Sequence, residues 1–280
     1  MPAADLKISR RTAAELSREA VTIVDQGGYR SPAGEWVDLR DQIARAREWT
    51  LAYPPDQLLP PTTTGRFATK IFVVNDTTLA AAQSLLAQGR RVVALNFAAP
   101  THPGGGFLTG ARAQEEYLAR SSALYACLVD QPMYPFHKAA YTPFASDYAI
   151  YSPDVPVFRG DDRRLLDEPY AVSMVTCAAV QAARLPPDSR DQIEAAMRSR
   201  IHRILTLGLA HGHDAYVLGA WGCGAFGNDG EMIAGLFREA LDGPFRGAFA
   251  GVIFAVTDWS DDLRMIGPFA RQFGAASELG

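Results

Sequence analysis

The sequence predicts an α/β domain with helices on both faces of a sheet. Continuous apolar runs of strand length, expected of strands buried on both faces, alternate with capped amphipathic helices. Polar and glycine residues gather where the strands end, which is where such sheets bind ligands. The predicted strands are residues 70–75, 91–95, 170–174, 214–219 and 251–256. The predicted helices that alternate with them are residues 76–88, 112–129, 189–207 and 228–241.

The N-terminal part of the chain has a different pattern. Helices are predicted at residues 8–24 and 38–49, followed by an irregular Pro- and Thr-rich connector at 52–65. We therefore expect residues 1–65 to form a helical extension that packs on a core domain of residues 66–280. Within that domain, residues 130–170 are rich in proline and are predicted to be mainly loop, with at most short strands.

Composition excludes several classes of protein. The net charge is −4 and lysine is scarce, which argues against a general nucleic-acid binder. The sequence lacks an apolar run of membrane-spanning length and the apolar core of a signal peptide. Cys127, Cys177 and Cys223 are too far apart to suggest a disulfide framework. We expect a cytoplasmic monomer that contacts neither membrane nor nucleic acid directly.

Three consecutive glycines, Gly104, Gly105 and Gly106, lie between a predicted strand and a predicted helix. A backbone without side chains can lie flat against a ligand and direct its N–H groups at an anion. A triple glycine by itself is more often a flexible turn. Its position directly after a buried strand favours a binding loop.

Gln114, Glu115 and Glu116 begin the helix that follows. Carboxylates are common in a first helical turn, where they complement the helix dipole by about 0.3–1 kcal/mol. Taken alone, each glutamate could be explained by this interaction with the helix dipole. Neighbouring helical side chains diverge by about 100°, so a symmetric acid/base pair across one bond is not expected. We expect one glutamate to transfer a proton and the other to fix a substrate hydroxyl.

A second glycine loop spans residues 222–228 and matches G-x-G-x-x-G between a strand and a helix. The pattern is typical of dinucleotide-binding folds. However, it lies late in the chain, and residues 243–250 lack the acidic residue expected at the end of the next strand. A glycine loop before a helix N-terminus can still bind a diphosphate. Phe226 either stacks on a sugar ring or packs in the core.

Three further segments carry weaker signals. His211 and His213 could suggest a metal pair, but ligand-spaced partners are missing, so an end to the long helix near its negative pole is favoured. Cys223 has no evident partner histidine and is interpreted as a small residue in a tight loop. Residues 257–259 follow a strand and could line a pocket; alternatively, Asp258 or Ser260 caps the last helix. No metal or cofactor is predicted.

The triple glycine, a spacer of seven residues and Gln114-Glu115-Glu116 together resemble the signature of poly(ADP-ribose) glycohydrolases. The chain is most similar to the bacterial-type members, which join a macrodomain to a short N-terminal helical extension. The likeness extends over most of the chain, including residues 73–79, 96–98 and 219–228. It implies a macrodomain-like three-layer α/β/α fold with a mixed central sheet.

The resemblance also implies roles for individual residues. Glu116 would be the catalytic acid, while Glu115 and Gln114 would position the ribose and the first glutamate. Asn96 would bond the distal ribose, and Phe226 would orient that ribose. The two loops that would hold the diphosphate are Gly104, Gly105 and Gly106 on one side, and Gly224, Ala225, Phe226, Gly227 and Asn228 on the other.

The implied reaction is hydrolysis of the ribose–ribose O-glycosidic bond of poly(ADP-ribose), releasing ADP-ribose. Such a cleavage needs a proton on the leaving oxygen and stabilisation of an oxocarbenium-like centre, and requires no metal. The partners would be poly(ADP-ribose), ADP-ribose and ADP-ribosylated proteins. Two alternatives are a macrodomain that binds ADP-ribose without hydrolysis and a nicotinamide-dependent oxidoreductase. The Gln-Glu-Glu sequence argues against the first, and the missing acidic residue against the second.

Overall fold

A computed structural model describes residues 8–61 and 64–274 of the chain. The strands within this part are β1 (Gly28–Arg30), β2 (Trp36–Asp38), β3 (Leu51–Tyr53), β4 (Lys70–Val74), β5 (Val92–Phe97), β6 (Ala149–Arg159), β7 (Leu165–Cys177), β8 (Ala215–Leu218) and β9 (Gly251–Ala255). The α-helices are α1 (Arg10–Gln26), α2 (Arg40–Glu48), α3 (Thr78–Ala87), α4 (Gln114–Ser121), α5 (Leu124–Leu128), α6 (Met133–Ala139), α7 (Arg190–Ala210), α8 (Gly230–Asp242) and α9 (Gly267–Phe273).

A seven-stranded mixed sheet forms the centre, in the order β3-β6-β7-β5-β8-β9-β4. Strands β7, β5, β8, β9 and β4 are parallel, whereas β6 pairs antiparallel with both β7 and β3. Alternate residues of β5 enter different cores: Val92 and Ala94 pack with α3 to α5, and Val93 and Leu95 pack with α7 and α8. The predicted α/β fold with a mixed central sheet and helices on both faces is confirmed.

The prediction for residues 130–170 was wrong. This segment contains α6 and the long strand β6, and β7 begins near its end. The prolines suggested loop because proline cannot donate a ladder hydrogen bond. Pro153 lies where the β6–β7 register shifts between Ser152 and Val155, and such an irregularity accommodates proline without breaking the strand pair.

Two other element boundaries differ from the prediction. The helix expected over 112–129 is divided, because Ser122 adopts an extended conformation and bridges to Val157 of β6. The connector expected at 52–65 overlaps an edge strand, since β3 pairs with β6 through Leu51–Tyr53. Strand β3 belongs to the central sheet although it lies within residues 1–65, the predicted extension. The boundary between extension and core domain at residue 65 remains a prediction.

The N-terminal helix α1 packs behind α4. Ser9 caps it by accepting a hydrogen bond from the Thr12 amide at 3.0 Å, and Gly27 ends it in the left-handed conformation. Glu19 of α1 forms a 2.9 Å ion pair with the buried Arg159 of β6, whose Nε donates to the main-chain carbonyl of Arg120. Helix α1 is therefore tied to the helix that carries Glu115 and Glu116. None of the helices described is long and apolar enough to cross a membrane.

Candidate active site

A cavity of about 360 Å³ opens at the carboxyl ends of β4, β5, β8 and β9. This is the edge of the sheet at which the sequence placed the ligand. Four predicted site residues line it: Gln114, Gly224, Ala225 and Phe226. The other lining residues used below are Thr77, Thr78, Arg112, Ala113, Tyr117, Arg120, Trp221, Gly222, Thr257 and Trp259.

Gln114 fixes the first turn of α4 to the end of β5. Its Oε1 accepts a 2.9 Å hydrogen bond from the Phe97 amide, and its Nε2 donates to the carbonyl of Leu95 at 2.8 Å and to Oγ1 of Thr78 at 3.1 Å. Both ends of the amide group are therefore in use. Gln114 sets the position of the two glutamates that follow it.

The triple-glycine loop lies directly against the two carboxylates. Gly104 and Gly105 have φ values of 67° and 59°, which glycine adopts without steric cost. A Cβ on Gly105 would overlap Oε1 of Glu116 and lie 3.0 Å from Oε2 of Glu115. The Gly106 amide donates to Oε1 of Glu116 at 2.9 Å. The loop thus needs glycine at position 105 for its close contact with the carboxylates.

Both glutamates reach this loop, although their Cα–Cβ bonds point in different directions. Each is less than a tenth exposed. The expected divergence of about 100° applies to the Cβ atoms, and the flexible side chains bring the carboxylates back together beside Gly105. Geometry therefore permits both groups to act on one substrate. The expected division of labour between them remains a prediction.

Glu115 is the more deeply placed carboxyl. Its Oε2 accepts a 2.7 Å hydrogen bond from the Ala99 amide, and its Oε1 is enclosed and without a partner among the described residues. Burial raises the pKa of Glu115 well above its usual value; the Ala99 amide opposes this, and the charge of Glu116 adds to it. Asn96 is also fully buried and donates to Oγ1 of Thr176 at 3.2 Å.

The second glycine loop is closed by the side chain of Asn228. Its Nδ2 donates to the carbonyls of Val180 at 2.7 Å and Gly222 at 3.1 Å, and its main-chain amide donates to the Gly222 carbonyl as well. Gly222 and Gly227 have φ values of 77° and 71°. Asn228 is buried and does not line the cavity. It shapes the loop that presents Gly224 and Phe226 to the cavity.

The N-terminus of α8 differs from the sequence expectation for a helix that holds phosphate. Asp229 caps it, and its Oδ1 accepts from the amides of Glu231 at 2.9 Å and Met232 at 3.4 Å. Because these amides already donate to the Asp229 carboxylate, they are not free to bind a phosphate. Helix α4, in contrast, has no side-chain cap; its N-cap residue, Ala113, and its first residue, Gln114, line the cavity.

The weaker candidates receive mixed outcomes. Thr257 and Trp259 line the cavity, whereas Asp258 accepts hydrogen bonds from the amides of Ser260, Met265 and Ile266. Burial raises the pKa of the Cys223 thiol to about 12, which disfavours a nucleophilic thiolate. Phe226 lines the cavity and packs against the core, so its contact with a sugar ring remains a prediction.

The two histidines are paired with tyrosines. His211 follows the last residue of α7, and its Nε2 lies 2.7 Å from the hydroxyl of Tyr53; Nε2 of His213 lies 2.9 Å from that of Tyr151. Over residues 8–61 and 64–274, no group of three or more His, Cys, Asp or Glu side chains could hold a metal ion.

Several residues at the site were missed by the sequence reasoning. Arg120 and Tyr117 line the cavity, and Thr77 and Tyr117 both donate to the carboxylate of Asp161, from the β6–β7 turn. A signal for Arg120 existed, because it lies four residues after Glu116 and therefore on the same face of α4. The part played by Asp161 had no signal, since the β6–β7 pair was not predicted.

Comparison with known proteins assigns the chain to a family. A sequence model described as the catalytic domain of microbial-type PARG matches residues 17–160. The structure of poly(ADP-ribose) glycohydrolase (PARG) from Thermomonospora curvata is 43% identical, with a TM-score of 0.90, covering 94% of this chain and 100% of that one. The chain belongs to the microbial-type PARG family.

Other microbial PARG structures support the assignment with ligands in place. The T. curvata enzyme bound to the inhibitor ADP-HPD is 42% identical, with a TM-score of 0.88 and the same coverage. PARG from Deinococcus radiodurans in complex with ADP-ribose is 37% identical, with a TM-score of 0.77, covering 82% of this chain and 96% of that one. A search of curated proteins gave no match.

Proposed function

We propose that this protein is a poly(ADP-ribose) glycohydrolase that cleaves the ribose–ribose O-glycosidic bond and releases ADP-ribose. The observation that carries the proposal is the hydrogen bond that holds Glu116 on the triple-glycine loop, two residues after Gln114, which lines the cavity. Glu116 and the loop lie behind the residues that line the cavity itself. A glycosidase needs a carboxyl group held at the scissile bond. Family membership supplies the substrate class, and the site supplies that carboxyl group.

Glu116 acts as the general acid in this proposal. One of its oxygens is occupied by the Gly106 amide, and Oε2 has no hydrogen-bond partner among the described residues. That oxygen is available to give a proton to the leaving ribose oxygen. The resulting carboxylate then accepts a proton from the water that attacks the oxocarbenium-like centre, which restores the acid.

Glu115 and Asn96 hold the ribose in this proposal. Each has one enclosed oxygen without a partner among the described residues, Oε1 of Glu115 and Oδ1 of Asn96. Buried polar atoms are normally paired, so both are acceptors suited to substrate hydroxyl groups. Phe226, which lines the cavity, braces the sugar. The amides of Gly105, Gly106, Gly227 and Asn228 already donate within the protein. The amides of Gly224, Ala225 and Phe226 therefore hold the diphosphate.

The decisive experiment separates hydrolysis from recognition. Labelled poly(ADP-ribose) is incubated with the protein, with and without a chelator, and free ADP-ribose is measured over time. We expect release in both conditions. If the protein binds ADP-ribose but releases none from the polymer, it is a reader and the proposed activity is wrong. Hydride transfer to or from a nicotinamide cofactor would instead support the oxidoreductase alternative.

We further propose that the protein removes polymer from ADP-ribosylated proteins as a cytoplasmic monomer, within the response to DNA damage. Free thiols at Cys127, Cys177 and Cys223 are consistent with a reducing compartment. Release of label from a poly-ADP-ribosylated protein, sedimentation of the purified chain and the sensitivity of deletion cells to DNA damage test these points. Activity on free polymer alone, a dimer or unchanged sensitivity would contradict the corresponding point.

A further inference from the structure

Arg120 differs from the other buried arginines of the described chain. Four arginines are less than a tenth exposed: Arg120, Arg159, Arg200 and Arg203. Arg200 pairs with Asp147 and donates to two carbonyls. Arg203 donates to the carbonyls of Tyr53, Pro54 and Gln57. Arg159 has Glu19 and two carbonyls. These three are structural cations with several partners each.

Arg120, 4% exposed, has much weaker protein contacts. Within the described residues its guanidinium makes one hydrogen bond, at 3.4 Å to the carbonyl of Ala111, and lies 5.8 Å from the centre of the Tyr117 ring. No carboxylate forms an ion pair with it there. The charge of Glu116, one turn earlier on α4, acts on the Arg120 guanidinium without forming an ion pair. Burial of a guanidinium is costly, so its free N–H groups still require a hydrogen-bonding partner.

The side chain of Arg120, with its unbonded N–H groups, lies at the wall of the cavity. Arg120, Tyr117 and Arg112 all line it. Nε of Arg203 is enclosed and has no hydrogen-bond partner. No nitrogen of Arg120 is both enclosed and unpartnered, so the unbonded N–H groups of Arg120 have room for a ligand. The 3.4 Å contact with Ala111 places the guanidinium near the start of α4, the helix N-terminus that lacks a side-chain cap. A cation and uncapped helical amides thus meet on one wall.

We infer that Arg120 forms an anion subsite in this cavity and binds a phosphate group of the ADP-ribosyl substrate. This inference rests on the proposed function for the identity of the ligand. Arginine suits the role because its planar fork matches phosphate oxygens, and charge-assisted bonds of this kind are stronger than neutral ones. It also supplies the positive charge that the Asp229-capped end of α8 does not.

The test compares a charged and an uncharged ligand. Affinities for ADP-ribose, inorganic pyrophosphate and adenosine are measured by calorimetry for the parent protein, Arg120→Met and Arg203→Met. Arg203 is the matched control because it is a buried arginine outside the cavity. We expect Arg120→Met to weaken ADP-ribose and pyrophosphate binding by roughly tenfold or more, with adenosine unchanged and Arg203→Met close to the parent.

Equal ADP-ribose affinity in a folded Arg120→Met variant would overturn the inference. An equal loss for adenosine would also overturn it, because the effect would then be structural. If Arg120→Met does not fold, Arg120→Lys replaces it, and we expect that charged variant to keep a salt-sensitive preference for ADP-ribose over adenosine. Loss of that preference would contradict the inference. Failure of the proposed function is distinguishable, since the parent would then bind ADP-ribose but not cleave the polymer.

Discussion

The amide of Gly106 donates a 2.9 Å hydrogen bond to Oε1 of Glu116, ten residues further along the chain. This bond joins the two halves of the sequence signature, the glycine loop and the Gln-Glu-Glu turn, into one structural unit. The loop is therefore a support for the carboxylate as well as a surface for substrate. The proposed catalytic role of Glu116 depends on glycine at position 105, where the loop passes closest to both glutamates.

Gly105→Ala is expected to lose activity far more than stability. Its methyl group would overlap Oε1 of Glu116, and the φ of 59° adds about 1–2 kcal/mol of strain. We predict at least a hundredfold loss of polymer hydrolysis in steady-state assays. Gly89→Ala is the matched control: its φ is 72°, but a Cβ there meets nothing within 4 Å. Equal activity losses in both variants would contradict the explanation that the new methyl group displaces the Glu116 carboxylate.

Glu115→Gln should be more stable than the parent protein, by a margin that grows as the pH rises, and it should be less active. Burial raises the pKa of Glu115 in the folded protein, so the folded state binds more protons than the unfolded chain above about pH 4.5 and loses stability as pH increases. Glutamine removes this loss and keeps an oxygen for the Ala99 amide. Unfolding free energies between pH 5 and 9, by denaturant titration, test the trend.

Glu239→Gln provides a control of opposite sign. Hydrogen bonds from Arg198 lower the pKa of the exposed Glu239, so its contribution to stability is present at neutral pH and lost on acidification. We expect a small loss at neutral pH, because exposed ion pairs contribute little. A Glu115→Gln variant that is uniformly less stable across the range would show that its carboxylate is stabilising.

Asn228→Ala should weaken both the fold and the binding of ADP-ribose. The side chain closes the second glycine loop through the carbonyls of Val180 and Gly222. Alanine leaves the Val180 carbonyl unpaired, at a cost of about 1–3 kcal/mol, whereas the Gly222 carbonyl keeps its bond from the main-chain amide of residue 228. We predict a lower unfolding free energy and at least a fivefold weaker ADP-ribose affinity, measured by denaturation and calorimetry. Unchanged affinity in the destabilised variant would show that the loop does not contribute to the site.

The protein should lose stability in mild acid through His213. Burial lowers the pKa of His213 from 6.5 to about 4, and its Nε2 lies beside the Tyr151 hydroxyl. The unfolded chain therefore takes up this proton first, and stability falls as the pH drops from about 6.5 to about 4, by roughly 1.4 kcal/mol per unit of pKa difference. His213→Gln should flatten this part of the stability profile. An unaltered slope would assign the acid sensitivity to other groups.

Local sequence signals predicted much of the fold and the principal site segments. The buried runs of β4, β5, β8 and β9 and the helices that alternate with them were visible because each depends on a few adjacent residues. The closeness of the triple glycine to Glu115 and Glu116 was also visible, since one strand–loop–helix connection contains them all. Strand β6 was missed because its prolines mimic a loop signal and its pairing with β7 is a tertiary property.

Other features of the site depend on contacts between distant segments. Nothing local to residue 228 reveals that its amide holds the carbonyl of Val180, 48 positions away. The occupied N-terminus of α8 could have been foreseen, because Asp229 is a strong capping residue. The isolation of Arg120 becomes apparent only when its burial is compared with that of the well-partnered Arg159, Arg200 and Arg203.

The central claim is that Glu116 supplies the proton, and Glu116→Gln tests it most directly. Glutamine keeps an oxygen for the Gly106 amide, so the loop and the ADP-ribose site should stay intact. Turnover of labelled poly(ADP-ribose) and ADP-ribose affinity are measured for parent and variant. We predict a loss of turnover of roughly 10²–10⁴-fold with affinity nearly unchanged. Turnover close to that of the parent would contradict the account.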